Sequence, residues 1–193
     1  MIELRTPRLL LRPLSSRDAN AVAAIAGDWR VARMVVDMPY PMDRAGARAW
    51  LRRRSGERRL AIVHAGRMIG GVMYYRHPGG SAQLGYWLGP SWWGNGFAAE
   101  AASHLVAYGF ERDRLARFWS GHFLDNPASA KVLLSLGFKR QGRCLCWCPA
   151  RGREVEAVTY ELDRAAAGYP AHPPGFLAWS ALRLWPVTAQ RPA

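Results

Sequence analysis

Residues 85–98 read Gly85-Tyr86-Trp87-Leu88-Gly89-Pro90-Ser91-Trp92-Trp93-Gly94-Asn95-Gly96-Phe97-Ala98. Gly85 to Leu88 closes a β-prone run that begins at Ser81, and Gly89-Pro90 breaks it. Beyond Phe97 the chain continues Ala98-Ala99-Glu100-Ala101-Ala102, strong helix formers that predict a helix to Arg112. A strand therefore runs into a glycine loop and then a helix. The first N–H groups of a helix have no partner within it and sit at the positive end of its dipole. Glycine lets an anion approach that backbone closely. The stretch is a candidate cradle for a pyrophosphate. The simpler reading is a plain strand-to-helix turn, which needs fewer glycines.

The flanks narrow the choice. Upstream, Leu60 to Ala65, Met68 to Tyr75 and Ser81 to Leu88 read as a meander, its first turn at His64-Ala65-Gly66-Arg67. A dinucleotide fold wants its glycine loop after the first strand of a βαβ unit, and a P-loop wants Gly-Lys-Ser/Thr. Neither is present. Downstream, Leu115 to Phe123 reads as a strand. A helix then starts at Pro127, where the missing N–H is not needed, and stops at Gly137. Strands Phe138 to Trp147 and Val155 to Leu162 flank the turn at 149–153. Before the meander, Leu9 to Leu14 reads as a strand. Ser15, Ser16 and Asp18 cap a helix over Ala19 to Ala26, and a second helix follows Pro41 and Asp43 through Trp50 and Leu51. The order β-α-α-β-β-β-α-β-α-β-β predicts an α/β fold, a mixed sheet with helices on its faces.

A chain of 193 residues suits one core, here 1–163, with an extension at 164–193. The extension opens with the Pro-rich Tyr169 to Gly175. Phe176, Trp179, Leu182 and Trp185 then form a short apolar helical face. That face packs either on the domain or on a second copy, which would make a homodimer. No apolar run approaches the roughly 18–20 residues of a membrane span, and the N-terminus lacks the apolar core of a secretory signal. A soluble cytoplasmic protein without membrane contact is expected. The net charge is +13, from 27 basic and 14 acidic residues, which favours anionic ligands. Cys144, Cys146 and Cys148 have no nearby His and read as one packed strand face rather than a metal site.

Trp93-Gly94-Asn95-Gly96-Phe97-Ala98 resembles the acetyl-CoA loop of the GNAT superfamily, Gln/Arg-x-x-Gly-x-Gly/Ala. Gly96 and Ala98 match its last two fixed positions. Trp93 stands at the Gln/Arg position, a departure. The wider string from Gly85 to Pro90, with Trp93-Gly94, Ala98 and Glu100-Ala101, is similar to the RimJ/RimL-like branch, where an aromatic before the first glycine is usual. Thr6-Pro7-Arg8-Leu9-Leu10-Leu11-Arg12 resembles that branch's opening. Asn126-Pro127-Ala128-Ser129, with Val132-Leu133 and Leu136-Gly137-Phe138, resembles its second signature.

The resemblance implies a GNAT-like mixed, mostly antiparallel sheet with a central splayed strand pair and flanking helices. It implies acetyl-CoA as co-substrate and no metal. Tyr86, Trp87 and Leu88 would lie on the strand whose backbone pairs with the pantetheine arm. Trp93 and the amides of Gly94, Asn95, Gly96, Phe97 and Ala98 would hold the pyrophosphate. Asn126 would hydrogen-bond the pantetheine arm, and Ser129 would lie near the sulfur as the acid. Read from spacing alone, Asn126 and Ser129 share a helix face, and the simpler roles are a helix cap and a solvent-facing serine.

The implied reaction is attack of a neutral amine on a thioester. It needs a base, an oxyanion donor and an acid for the leaving thiolate. A backbone N–H near Leu88 is the oxyanion candidate. Glu100 reads as structural. Gln83, Glu154, Glu156, His77 and His122 stay open for the base. The acceptor the resemblance implies is a protein or peptide N-terminal α-amine, with ribosome proximity. A polyamine or aminoglycoside would want an acidic cluster, and the sequence has none. A non-catalytic acyl-CoA-binding module is the other alternative.

Overall fold

The computed structural model describes residues 2–52 and 57–169. The apolar face expected at 176–185 lies outside them. One eight-stranded sheet carries the fold, in the order β1-β2-β3-β4-β5-β6-β8-β7. The strands are β1 (Leu4–Arg5), β2 (Leu10–Pro13), β3 (Glu57–His64), β4 (Arg67–His77), β5 (Ser81–Leu88), β6 (Arg117–Phe123), β7 (Lys139–Cys148) and β8 (Arg153–Asp163). The helices are α1 (Ala19–Ala26), α2 (Trp29–Ala32), α3 (Arg44–Leu51), α4 (Phe97–Glu111) and α5 (Pro127–Ser135).

Two elements depart from the sequence reading. The single first strand is a pair, β1 and β2, folded back antiparallel through Thr6, Pro7 and Arg8. Pro7 lacks the N–H a strand interior needs, so the run breaks there. A helix of four residues, α2, also follows Gly27, capped by the Asp28 side chain accepting from Arg30 N at 2.8 Å. It is too short to show a helical period.

The two faces of the sheet bury different helices. Leu84 and Leu88 of β5 join Phe97, Ala101, Leu105 and Phe110 of α4 and Leu133 of α5. Trp87, pointing the other way, joins Val22 and Ala26 of α1 and Ala47 and Leu51 of α3. Each fully buried Leu or Phe stabilises by about 1.5–3 kcal/mol. Gly109 sets how closely α4 approaches the sheet, because a Cβ there would meet Phe118 Cζ at 2.5 Å.

The feature that positions the site is a split. β5 and β6 run parallel and pair only at Ser81↔Arg117, Ala82↔Phe118 and Gln83↔Trp119. Beyond that, β5 stays with β4 to Leu88 and β6 stays with β8 to Phe123. The buried Ser120 hydroxyl donates to Leu84 O at 2.9 Å just past the last paired residue. The rest of the facing edge of β5 is left without a strand partner, and such backbone groups seek water or a ligand. Among the described residues no helix is long and apolar enough to cross a membrane.

Candidate active site

A cavity of about 610 Å³ occupies the split. Its lining comes from both faces of the sheet, so it passes through the sheet rather than resting on it. Tyr86, Phe97, Ser129 and Val132 line it on the α4 and α5 side. Val31, Val35, Met73, Tyr75 and Trp87 line it on the other.

The glycine loop forms one end. Gly94 and Gly96 have φ of 78° and 76°, the left-handed region that side chains resist. The starts of α2, α3 and α5 are capped by the side chains of Asp28, Asp43 and Asn126. That of α4 has no side-chain cap, since its N-cap is Gly96. Its first amides therefore face the cavity with their dipole unspent. Lys131 is the one cationic side chain among the described lining residues. The residues fit a pyrophosphate.

The loop is held from outside. Arg8 donates to Asn95 O at 3.0 Å, and its guanidinium lies 4.6 Å from the Phe97 ring centroid. Glu100 accepts from Thr6 Oγ1 at 2.5 Å, from Arg8 N at 2.9 Å and from Arg8 Nε at 2.6 Å. Burial pushes its carboxyl up, and these donors outweigh it and hold it below the usual range. Glu100 is structural, as its sequence context suggests. Trp93 does not reach for phosphate: its indole N–H donates to Leu88 O at 2.8 Å, tying the loop back to β5.

The middle of the cavity holds a hydroxyl pair. Tyr86 Oη lies 2.8 Å from Ser129 Oγ, and the phenol also donates to Ser129 O at 3.2 Å. Burial raises the phenol well above its ordinary pKa, against a smaller downward pull from Ser129. It therefore stays protonated. Asn126 Oδ1 accepts from Ser129 N at 3.2 Å, so it is a helix cap. Its Nδ2 is left as a donor beside the cavity. The Tyr86–Ser129 pair spans 43 residues and has no sequence signature of its own.

The candidate bases separate clearly. Gln83 and His122 line the cavity, whereas His77, Glu154 and Glu156 do not. His122 Nδ1 lies 2.8 Å from Phe123 O and Nε2 lies 3.3 Å from Tyr160 Oη, so both nitrogens are engaged. Glu156 pairs with Arg143 at 2.9 Å. His77 packs on Trp119, and burial lowers its pKa. The Cys144 and Cys146 sulfurs approach to 3.3 Å, and Cys146 and Cys148 sit in a small cluster with Phe123, Val155 and Ala157. Trp87 lines the cavity but turns its indole toward Trp50, away from the cradle.

A sheet split beside an uncapped helix start fits an extended ligand with an anionic end, which is what the family resemblance implies for coenzyme A. Known proteins agree. A model of the acetyltransferase (GNAT) domain matches residues 8–139. The chain belongs to the GNAT acetyltransferase family and is an acetyltransferase. It is 30% identical over 170 residues to the uncharacterized N-acetyltransferase YoaA of Bacillus subtilis (strain 168), covering 82% of this chain and 95% of the relative. Mycobacterium smegmatis RimJ, solved with CoA-disulfide, shares the fold with a TM-score of 0.73 at 21% identity, over 86% of this chain and 90% of that one. Spermidine N-acetyltransferase from Vibrio cholerae, solved with CoA and spermine, shares it with a TM-score of 0.73 at 18% identity, over 83% and 98% of the two chains.

Proposed function

We propose that the protein transfers the acetyl group of acetyl-CoA to a primary amine, and that this amine is the α-amine of a protein or peptide N-terminus. The observation that carries the reading is the split between β5 and β6. It joins an anion cradle on one face to an apolar pocket, walled by Val31, Met34, Val35 and Val36, on the other. A donor and an acceptor can thus meet through the sheet, as direct transfer requires. One carboxylate in that pocket suits one cation, whereas a polyamine would want several. The basic surface suits a cytoplasmic enzyme working near ribosomal RNA.

Acetyl-CoA supplies an activated acetyl carbonyl. The amides of Gly94 to Ala98 and Lys131 bind the phosphates. Asn126 Nδ2 and the open edge of β5 hold the pantetheine arm, and an amide near Leu88 stabilises the oxyanion. As the C–N bond forms and the C–S bond breaks, Ser129 Oγ–H gives the leaving sulfur a hydrogen bond or its proton. Tyr86, kept neutral by burial, holds the serine hydroxyl in place, and the proton that the amine nitrogen sheds passes through water to restore it, so the thiol leaves protonated and the protein ends unchanged.

The test is thiol release from acetyl-CoA in the presence of N-terminal peptides, lysine-side-chain peptides and polyamines. The reading predicts the highest kcat/KM with a free peptide α-amine. Turnover with polyamines alone would overturn the acceptor.

A further inference from the structure

Asp37 is the only carboxylate among the described residues that line the cavity. It lies just past α2, between the apolar residue Val36 and the buried Met38. Its Oδ2 accepts a hydrogen bond from Tyr75 Oη at 2.5 Å, across 38 residues of sequence. Burial, with Asp37 beside it, raises the Tyr75 phenol well above its ordinary pKa, so the donor persists at working pH. The phenol fixes the carboxylate and leaves Oδ1 for another partner.

In a chain of net charge +13, carboxylates find arginines easily. Asp18 pairs with Arg12, Asp113 with Arg58, and Asp125 with Arg33 and Arg151. Asp37 has no such ion pair among the described residues. Arg59, whose charge is felt at Tyr75, forms no ion pair with Asp37 among the described residues, and its Nε and Nη2 have no hydrogen-bond partner. It lies 3.6 Å from Glu57, 3.7 Å from the Trp50 ring centroid, and donates to Trp50 O at 2.8 Å. The cavity is therefore polar in the electrical sense. Its α5 face carries Lys131 and the free amides of α4, and its other face carries Asp37.

We propose that Asp37, positioned by Tyr75, docks the ammonium group of the acceptor and so selects acceptors with a single cation on an apolar carrier. The proposal rests on the amine-acetylation reading above and adds the residue that recognises the amine. Val31, Met34, Val35 and Val36 make an apolar wall beside Asp37, and the described lining residues offer a second cation no other carboxylate. The same desolvated wall strengthens the charge-assisted hydrogen bond. Asp37 acts in binding and orientation, and the docked ammonium gives its proton to water before the neutral nitrogen attacks. Losing a hydrogen bond to a charged group costs about 10- to 100-fold in affinity.

The test measures calorimetric binding of two peptides to the CoA-loaded protein. One is a short peptide with a free α-amine; the other is the same peptide lacking that amine. Asp37→Asn keeps the acceptor for Tyr75 and removes the charge. It should weaken the amine peptide about 10- to 100-fold and raise its KM likewise. The des-amino peptide and the acetyl-CoA KM should be unchanged, and Asp37→Glu should recover part of the loss. Equal affinity of wild type and Asp37→Asn for the amine peptide would overturn the inference while leaving amine acetylation intact. So would an equal loss for both peptides. A wild-type protein that releases no thiol with any amine would overturn the underlying reading and this inference with it.

Discussion

Ser129 Oγ and Tyr86 Oη sit 2.8 Å apart, so the phenol fixes the hydroxyl that meets the leaving sulfur. Ser129→Ala removes the hydroxyl nearest the expected sulfur. The prediction is a fall in kcat of about 10²- to 10⁴-fold, the usual range for a general acid, with acetyl-CoA Kd little changed. Steady-state kinetics beside calorimetry would check it; equal loss in both would reject the acid role. Tyr86→Phe should lower kcat in the same direction but less, because Ser129 keeps its own proton. Gly96→Ala tests the cradle. With φ at 76° the new side chain would strain the backbone by about 1–2 kcal/mol; the free loop relaxes away from this conformation and must regain it to bind, so acetyl-CoA Kd should rise by up to about tenfold.

At the scale of elements, α4 is held close to the sheet by Gly109. Gly109→Ala places a Cβ 2.5 Å from the tip of the fully buried Phe118 ring. It should destabilise by about 1–3 kcal/mol, read as a lower urea midpoint at unchanged slope. The strand, loop and helix around residues 85–98 are legible in the sequence because glycine, proline and an alanine run act locally. The β1–β2 fold-back and α2 are not, being too short to carry a period. The split between β5 and β6 follows from no residue pattern. Alternation tells which face a side chain takes, as for Leu84 against Trp87, but not which strand lies alongside, so only the family resemblance implied it. Asp37 escapes notice for a similar reason: its meaning comes from Tyr75 on a distant strand.

The whole molecule carries +13, which draws a polyanionic donor over several ångströms. Raising salt from about 50 mM to about 500 mM shortens the Debye length several-fold, so the acetyl-CoA KM should climb while kcat stays nearly constant. Acid acts on a different set of charges. Burial pushes Asp18, Glu100 and Asp125 up, but Arg12 and Ser15, Thr6 and Arg8, and Arg151 and Arg33 outweigh it and leave each lowered. A carboxylate with a lowered folded pKa contributes its stability above the unfolded value of about 4. That stability is lost as pH falls through the lower folded value. Thermal melts should therefore hold between about pH 7 and pH 5 and drop steeply below about pH 4. The most direct test of the account is mass spectrometry of a single turnover with acetyl-CoA and an N-terminal peptide. One acetyl on the peptide's α-nitrogen is expected for each thiol released, with no acetylated protein on the way. Thiol release without an acceptor, or an acetyl group that stays on the protein, would contradict it.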